Sequence, residues 1–575
     1  VGLFVCSLAN ALSRESLGPS PLIYWAGLLL IAVPIFFRLS SSQASYRERL
    51  ALVILLGLAL YGVKVVRDSL FFNFPDEFVH AFNADQIVQH HHLYHFNAAL
   101  PVTPRYPGLA GATSALMTLT GMSSFGAGIV MIGAARLLFV TALFLLFARL
   151  SGSARAAGLG VAIYTGSSNF LFWGAQFSYE SLALPLFVMV LMAFVEREAA
   201  PPSWRRAWAV PVVLGILAVA VTHHVTSYAL ALVFVALAVL YRTMKVEKRN
   251  PWPLAVLAVL AAVGWLLIAA RSTVGYLFPV LTDAVKAVFK TASGESAPRT
   301  LFHASAETVG TTPLPARAVA LFAVALLGLG MLFGLRQTWR RHRAEPLVVL
   351  FCLAALGFFA ALVLRFAPAA WETGNRAGEF LFIGLAFVVT YGVAELLRSG
   401  SRRRRRRALL TAGLGVVLVG GAISGWPWDV QLARPLRVTA NGGRIDSEPL
   451  ALAKWASKRI PERRFAAPEA DARLLLAPGG ETAFGGQGPD VEDIVASPKL
   501  APWQLRVLRH NHLRYVVADR RRISSDTLRG YYFAIPGRQG ESLLPKSVIH
   551  KFARIPSGRL WDSGRIVLFD LEDRP

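Results

Sequence analysis

The run 346–366, PLVVLFCLAALGFFAALVLRF, carries a single charged side chain, Arg365. Comparable apolar runs recur near 21–37, 50–66, 127–149, 156–172, 181–195, 207–222, 227–240, 252–270, 317–335, 378–396 and 408–425. An α-helix rises about 1.5 Å per residue, so roughly 20 apolar residues cross a hydrocarbon core of about 30 Å. Backbone in lipid must satisfy its own hydrogen bonds, which makes helices the form open to such runs. The expected fold is therefore an α-helical polytopic membrane bundle. Residues 1–12 are also apolar and lack the basic segment that opens a signal peptide. They read as the end of one more span, for about 12–13 transmembrane helices in all.

Composition agrees. The 575 residues are 55% hydrophobic and 16% charged, with a mean hydropathy of +0.49, against about 25% charged in soluble domains. The net charge of +25 is collected in short connections between the runs. Arg38, Arg47 and Arg49, Arg149 and Arg155, Arg197, Arg205 and Arg206, Arg242, Lys245, Lys248 and Arg249, Arg336, Arg340, Arg341 and Arg343, and the run from Arg402 to Arg407 all fall on one set of alternating loops. The opposite short loops, WGAQFSYE, THHVT and APAAWETGNRA, hold one basic residue, Arg376. Cytoplasmic loops are the Lys/Arg-rich ones, so this alternation predicts a plasma (inner) membrane protein with the second set of loops outside. SRRRRRR reads as a topology anchor beside a span, and no nucleic-acid partner is expected. Cys6 and Cys352 both lie in apolar runs, so neither a disulfide framework nor a cysteine metal site follows.

The predicted organisation is a transmembrane domain over 1–425, with long outer loops at 67–126 and 271–316, and an outer domain over 426–575. Within 271–316, LTDAVKAVFK reads as an amphipathic segment on the membrane surface. The tail loses the apolar runs and gains short β-like stretches, ARLLLAP, LRYVVADRR, YYFAIPG and RIVLFDL, punctuated by Pro, Gly and Arg. They predict a mixed α/β unit of about 150 residues.

The predicted outer ends hold the groups capable of chemistry. The first outer loop brings Asp76, Glu77, His80, His91, His95 and Tyr106. The second brings Tyr179 and Glu180, the third His223 and His224, and a later one Arg365 and Arg376. These loops meet only if the helices bundle round a common cavity at that end. Pro75 suits the first turn of a helix, which places Asp76 and His80 at i, i+4. Acids in a first turn also stabilise the helix dipole, so capping competes with catalysis as their use. His91 and His95, at the same spacing, are candidate metal ligands, or simply a polar interfacial surface. Arg136 lies inside the run 127–149, about 13 Å from its outer end. There it needs an acid, carbonyls or a lipid phosphate. Arg376 sits at the interface, where it can bind a phosphate or snorkel.

Several of these stretches resemble the polytopic GT-C glycosyltransferases. DEFVHAF is similar to the Asp-Glu-x-His stretch of protein O-mannosyltransferases, with one extra residue before His80. RYPGL resembles the Tyr-Pro-Pro-Leu region of the dolichyl-phosphate-mannose-transferase-like and aminoarabinose-transferase-like bacterial enzymes, with Gly108 in place of the second proline. GAARLLF resembles the Ala-Arg-Leu of their next helix, and Glu180 in QFSYESLALPL stands where those families often have a further acid. The resemblance runs over roughly residues 50–400 in topology.

What it implies is transfer of a sugar from a polyprenyl-phosphate donor to an extracytoplasmic glycan, lipid or protein, with inversion. Asp76 would be the base, and Glu77 or Glu180 would orient the acceptor or sugar. Arg376, with Arg365 or Arg136, would hold the phosphate, and His80, Tyr106, Tyr179, His223 and His224 would line the substrate site. No cofactor is required, and a divalent metal is compatible. A lipid-linked glycan flippase, an O-antigen ligase or polymerase, and a non-catalytic scaffold are the competing readings. A flippase is expected to carry its charges mid-membrane and to show repeated halves, and a ligase to carry its key loop late.

Overall fold

The fold is that of a computed structural model, which describes all residues except 16, 98–99, 247–249, 298, 300–301, 303–311, 399–402, 426–430, 433–446, 461–463, 468–480, 484–493, 495–496, 522–545, 554–557 and 572–575. The helices of the first half are α1 (Gly2–Arg14), α2 (Ser20–Leu39), α3 (Tyr46–Arg67), α4 (Pro75–His90), α5 (Gly108–Thr120), α6 (Ser124–Ser151), α7 (Ala154–Tyr164), α8 (Tyr179–Ala199), α9 (Pro202–Thr222) and α10 (His224–Thr243). Then follow α11 (Trp252–Ile268), α12 (Ser272–Ala292), α13 (Leu314–His342), α14 (Pro346–Leu364), α15 (Trp371–Arg398) and α16 (Arg403–Gly425). Ten of them are long and apolar enough to cross a membrane, and α11 with α12 forms an eleventh candidate bent by 111°.

Eleven of the twelve predicted spans thus coincide with a long helix or with α11. The exception is 156–172. Helix α7 ends at Tyr164, and residues 165–178 continue as turns. The sequence there, TGSSN, is turn chemistry inside an otherwise apolar run. The turn packs tightly on α16, where a Cβ on Gly425 would sit 1.5 Å from the Ser168 carbonyl oxygen. A second correction concerns 367–377, expected as a loop. Helix α15 begins at Trp371, so two helical turns project beyond the apolar part of the span.

At the end bearing the basic loops, arginines close the C-terminus of α2. Arg407 donates to the Phe37 carbonyl at 2.8 Å and to Ser40 Oγ at 3.1 Å, and Arg155 donates to the Ser40 carbonyl. Arg49 donates to the carbonyls of Ala44 and Ser41, and Arg38 pairs with Glu48. Cations at a helix C-terminus satisfy carbonyls that have no partner within the helix.

After α16 come α17 (Ser447–Arg459), β1 (Arg464–Ala466), β2 (Glu481–Ala483), α18 (Pro502–His510), β3 (Tyr515–Asp519), α19 (Ser547–Ala553), β4 (Gly558–Asp562) and β5 (Ile566–Asp570). The strands make one mixed sheet in the order β2-β1-β3-β5-β4, with β1 parallel to β2 and β3 and with β5 antiparallel to β3 and β4. Of the β-like stretches, LRYVVADRR contains β3 and RIVLFDL contains β5. ARLLLAP and YYFAIPG lie outside the described residues. One apolar cluster joins Leu452, Ala456 and Phe465 of this unit to Phe72, Phe78, Leu109 and Phe177 of the bundle. The C-terminal unit is therefore seated on the end of the bundle that carries α4.

Candidate active site

The site end is anchored by a buried ion network that the sequence reading did not foresee. Lys64, in the last turn of α3, donates to Glu77 Oε1 at 2.6 Å and lies 3.5 Å from Asp68. Arg67 pairs with Asp68 at 2.6 Å. Glu77, fully buried, also accepts the backbone N–H groups of Asn73 and Phe74 on Oε2, and that of Phe177 on Oε1. The bond from Phe74 is half of a capping box at the start of α4. The bond from Phe177 fastens the turn before α8 to that helix end. Glu77, expected to orient acceptor or sugar, has both oxygens engaged in holding two loops together.

Its neighbour Asp76 is half-buried and faces different company. It lies within electrostatic range of Arg376, Glu180, Tyr179 and Tyr276. His80, one turn on, accepts the Tyr179 N–H on Nε2 at 3.4 Å, and its ring meets the Tyr179 ring edge-on at 4.5 Å. Burial pushes the His80 imidazole down to about 3. A neutral His80 offers Asp76 no opposite charge, and a cation within electrostatic range of Asp76 is Arg376.

Tyr179 is the hub of an aromatic and imidazole wall. Its ring centroid is 4.4 Å from His223 and 5.7 Å from His224. His224 in turn lies 5.2 Å from Tyr106 and 6.1 Å from Tyr276 of α12. Thr273 of α12 donates to the Tyr106 hydroxyl at 3.4 Å. The THHVT connection is tight: α9 ends at Thr222, α10 begins at His224, and His223 alone turns the chain. His223 Nδ1 is held at 2.8 Å from Thr226 Oγ1. Gly108 allows α5 to approach this turn. A Cβ there would lie 2.2 Å from Thr222 Oγ1, which gives the departure from a Pro-Pro pair a steric reason.

The charged side of the site comes from α8 and α15. Arg376 binds Glu372 at 2.8 Å, one turn back on α15, and approaches Glu180 of α8 at 3.6 Å. Glu379, one turn after Arg376 on α15, lies within electrostatic range of Glu180. Glu180, Glu379 and Arg136 line a small cavity of about 20 Å³, together with Tyr164, Asn169 and Ser181 and the apolar Phe139, Phe170 and Leu184. That is room for a water molecule. His223 Nε2, His224 Nδ1, Glu180 Oε1 and Glu379 Oε2 are buried without a hydrogen-bond partner among the described residues. Buried polar atoms of this kind normally have partners, so they mark the faces open to a ligand or water.

Four sequence candidates are engaged in other contacts. Arg136 donates to the carbonyls of Phe170 and Gly174 at 2.9 and 2.7 Å and covers the Phe170 ring at 4.1 Å. Through these contacts it secures the turn after α7. Arg365 donates to the Ser424 carbonyl at 3.0 Å, joining α14 to α16. His91 and His95 do not share a helical face, because α4 ends at His90 and His91 caps it in the left-handed region, with φ 59°. The His92 ring instead stacks on His95 at 4.1 Å, and the His90 ring packs on it tilted at 4.2 Å. Among the described residues, no group of three or more His, Cys, Asp or Glu is placed to hold a metal ion.

Glu379, Thr273, Tyr276 and the Lys64 network were missed from sequence. Glu379 had a usable signal: it is an acid inside a predicted span, three residues after Arg376 and so on the same helical side.

No family model matches this sequence, and no curated protein is similar to it in sequence. Solved structures are similar in fold. Two of ArnT from Cupriavidus metallidurans, one apo and one bound to undecaprenyl phosphate, are each 13% identical over 90% of this chain and 97% of theirs, with TM-scores of 0.41 and 0.42. Two of the arabinofuranosyltransferase AftD from Mycobacteria are 15% and 14% identical over 92% of this chain, with TM-scores of 0.50 and 0.53. The chain spans 42% of AftD. At these identities the likeness is one of architecture: the chain is a polytopic membrane protein with the fold of the GT-C glycosyltransferases.

Proposed function

We propose that the protein is a membrane glycosyltransferase that moves a sugar from a polyprenyl phosphate to an extracytoplasmic acceptor, with inversion. The observation that carries this reading is the approach of Arg376 to Glu180, with Asp76 within electrostatic range of both, beside the Tyr179 wall at one end of a GT-C fold. The site end is taken as the outer face, from the alternation of basic loops.

In this reading Asp76 is the base. The acceptor hydroxyl gives its proton to the Asp76 carboxylate as its oxygen attacks the anomeric carbon. The bond from that carbon to the phosphate oxygen breaks, and the lipid phosphate leaves with the electron pair. Arg376 meets the growing negative charge; of its two partners, Glu372 is the more exposed and the one that a phosphate can replace. Glu180 and the imidazoles of His223 and His224 orient sugar and acceptor. Glu77 acts indirectly, by holding Asp76 against the turn before α8. A positioned base contributes typically 10²–10⁴-fold, and stabilisation of the leaving charge adds to it.

The test is transfer by purified protein from polyprenyl-phosphate sugars. Asp76→Asn keeps the size but cannot take a proton. It should preserve folding and donor binding and lower turnover by about 10²-fold or more. Full activity in that variant would move the base to Glu180, and no transfer by the parent protein from any such donor would end the transferase reading.

A further inference from the structure

Helix α12 divides along its length into three stripes. Thr273, Leu277, Ala284 and Val288 face the protein, with Ala284 packed on Ala367 and Ala370 at the α14–α15 turn. Val274, Phe278, Leu281, Val285 and Phe289 fall at i, i+4, i+7, i+11 and i+15, on a second side, and are between 50% and 70% exposed. Asp283, Lys286 and Lys290 form the third side, exposed and charged. At 100° per residue these stripes lie roughly 100–130° apart. A helix in water has no use for five large apolar side chains in a row, and a helix in the hydrocarbon core has none for the charged stripe.

The placement of α12 identifies what covers the apolar stripe. Helix α11 is about 25 Å long at ~1.5 Å per residue, so it traverses most of a hydrocarbon core. Its end at Ile268 is on the site side, where Trp265 donates to the Arg105 carbonyl at 3.0 Å. The chain then turns by 111°, which lays α12 along the membrane plane. Helix α11 itself exposes Leu260, Val263, Leu267 and Ile268, and Val274 and Phe278 are the next exposed large apolar side chains after the bend, apart from Tyr276 between them. Lys286 and Lys290 are then at the level of the lipid phosphates, which complement their charge.

We infer that α12 lies in the lipid leaflet on the site side, with the stripe from Val274 to Phe289 immersed, and that this anchorage holds one wall of the pocket. Thr273 and Tyr276 are the residues through which it does so, by their contacts with Tyr106 and His224. The pocket wall is thereby set by the leaflet itself, and the site borders the compartment from which an amphiphilic substrate arrives. The placement of α12 does not depend on the transferase reading.

The experiment uses the full chain in phospholipid nanodiscs, with single nitroxide labels at 278, 281, 285 and 289 and at 283, 286 and 290. The first four should be reached by oxygen severalfold better than by a water-soluble nickel chelate, and the last three should show the reverse. Greater access of the chelate at all seven positions would overturn the inference, because the helix would then stand in water. Protection of the first four from both reagents would also overturn it, since a protein surface would then cover the stripe. The second arm is hydrogen exchange in Leu281→Asp with Phe289→Asp. Exchange over 272–280 and 223–228 should accelerate by tenfold or more while α13 and α14 keep parent rates. Unchanged exchange over 223–228 would refute the link to the pocket wall. No arm reads transfer, so a failed transferase reading leaves the result interpretable.

Discussion

Replacing Glu77 by glutamine changes one atom and should damage the fold more than the chemistry. The carboxylate accepts from Lys64 and the Phe177 N–H on one oxygen and from the Asn73 and Phe74 N–H groups on the other. A glutamine carbonyl can serve one of these sides. Its NH2 group then faces donors on the other side, either an ammonium and an amide or two amides. Lys64, with 1% of its side chain exposed, loses its near counter-charge and keeps only Asp68 at 3.5 Å. Breaking a buried ion pair by removing one partner costs about 3–5 kcal/mol. At roughly 2–4 °C per kcal/mol for units of this size, the melting temperature of Glu77→Gln in detergent or nanodiscs should fall by on the order of 10 °C. The double variant Lys64→Met, Glu77→Gln removes both charges and should recover much of the loss, leaving Asp68 to Arg67. A melting temperature for Glu77→Gln within about 2 °C of the parent would refute this reasoning. So would a double variant less stable than either single one.

Arg376→Ala should weaken binding of a polyprenyl phosphate, measured by titration in nanodiscs, and Arg376→Lys should restore only part, because lysine lacks the bidentate fork; equal affinity in all three proteins would assign Arg376 to its pairs with Glu372 and Glu180. Burial raises the Asp85 carboxyl to about 7, against the lowering effect of the Ser124 hydroxyl at 3.1 Å. The folded state therefore keeps this proton after the unfolded chain has lost it, so the Asp85 contribution falls as pH rises from about 4 to 7. Asp85→Asn should gain melting temperature on the parent across that window, and a constant difference would exclude the titration. For topology, cysteines at positions 96 and 510 should react with an impermeant thiol reagent in intact cells and a cysteine at 243 should not; labelling at 243 alone would invert the assignment of faces.

The spans were legible because each is a local property. An apolar run long enough for a membrane needs no partner to be recognised, and 346–366 emerges as α14 with its ends nearly in place. The break at residue 165 was harder. Turn residues inside an apolar run compete with the helix, and the outcome is decided by Arg136, which takes the Phe170 and Gly174 carbonyls, and by the close approach of α16. The paired histidines at 91 and 95 failed for a local reason, since the helix carrying them stops one residue too early.

By itself, then, the sequence determined the helical bundle, the charge alternation of its loops, and the set of loops on which polar residues gather. It also placed Asp76 and Glu77 in the first turn of a helix. Only the tertiary structure separated those two acids. Glu77 is claimed by Lys64, thirteen residues before it, and by Phe177, a hundred residues after it. Asp76 lies instead within electrostatic range of Arg376 and Tyr179. Neighbouring positions on a helix point about 100° apart. What each one meets is set by chain segments that periodicity and spacing cannot bring together.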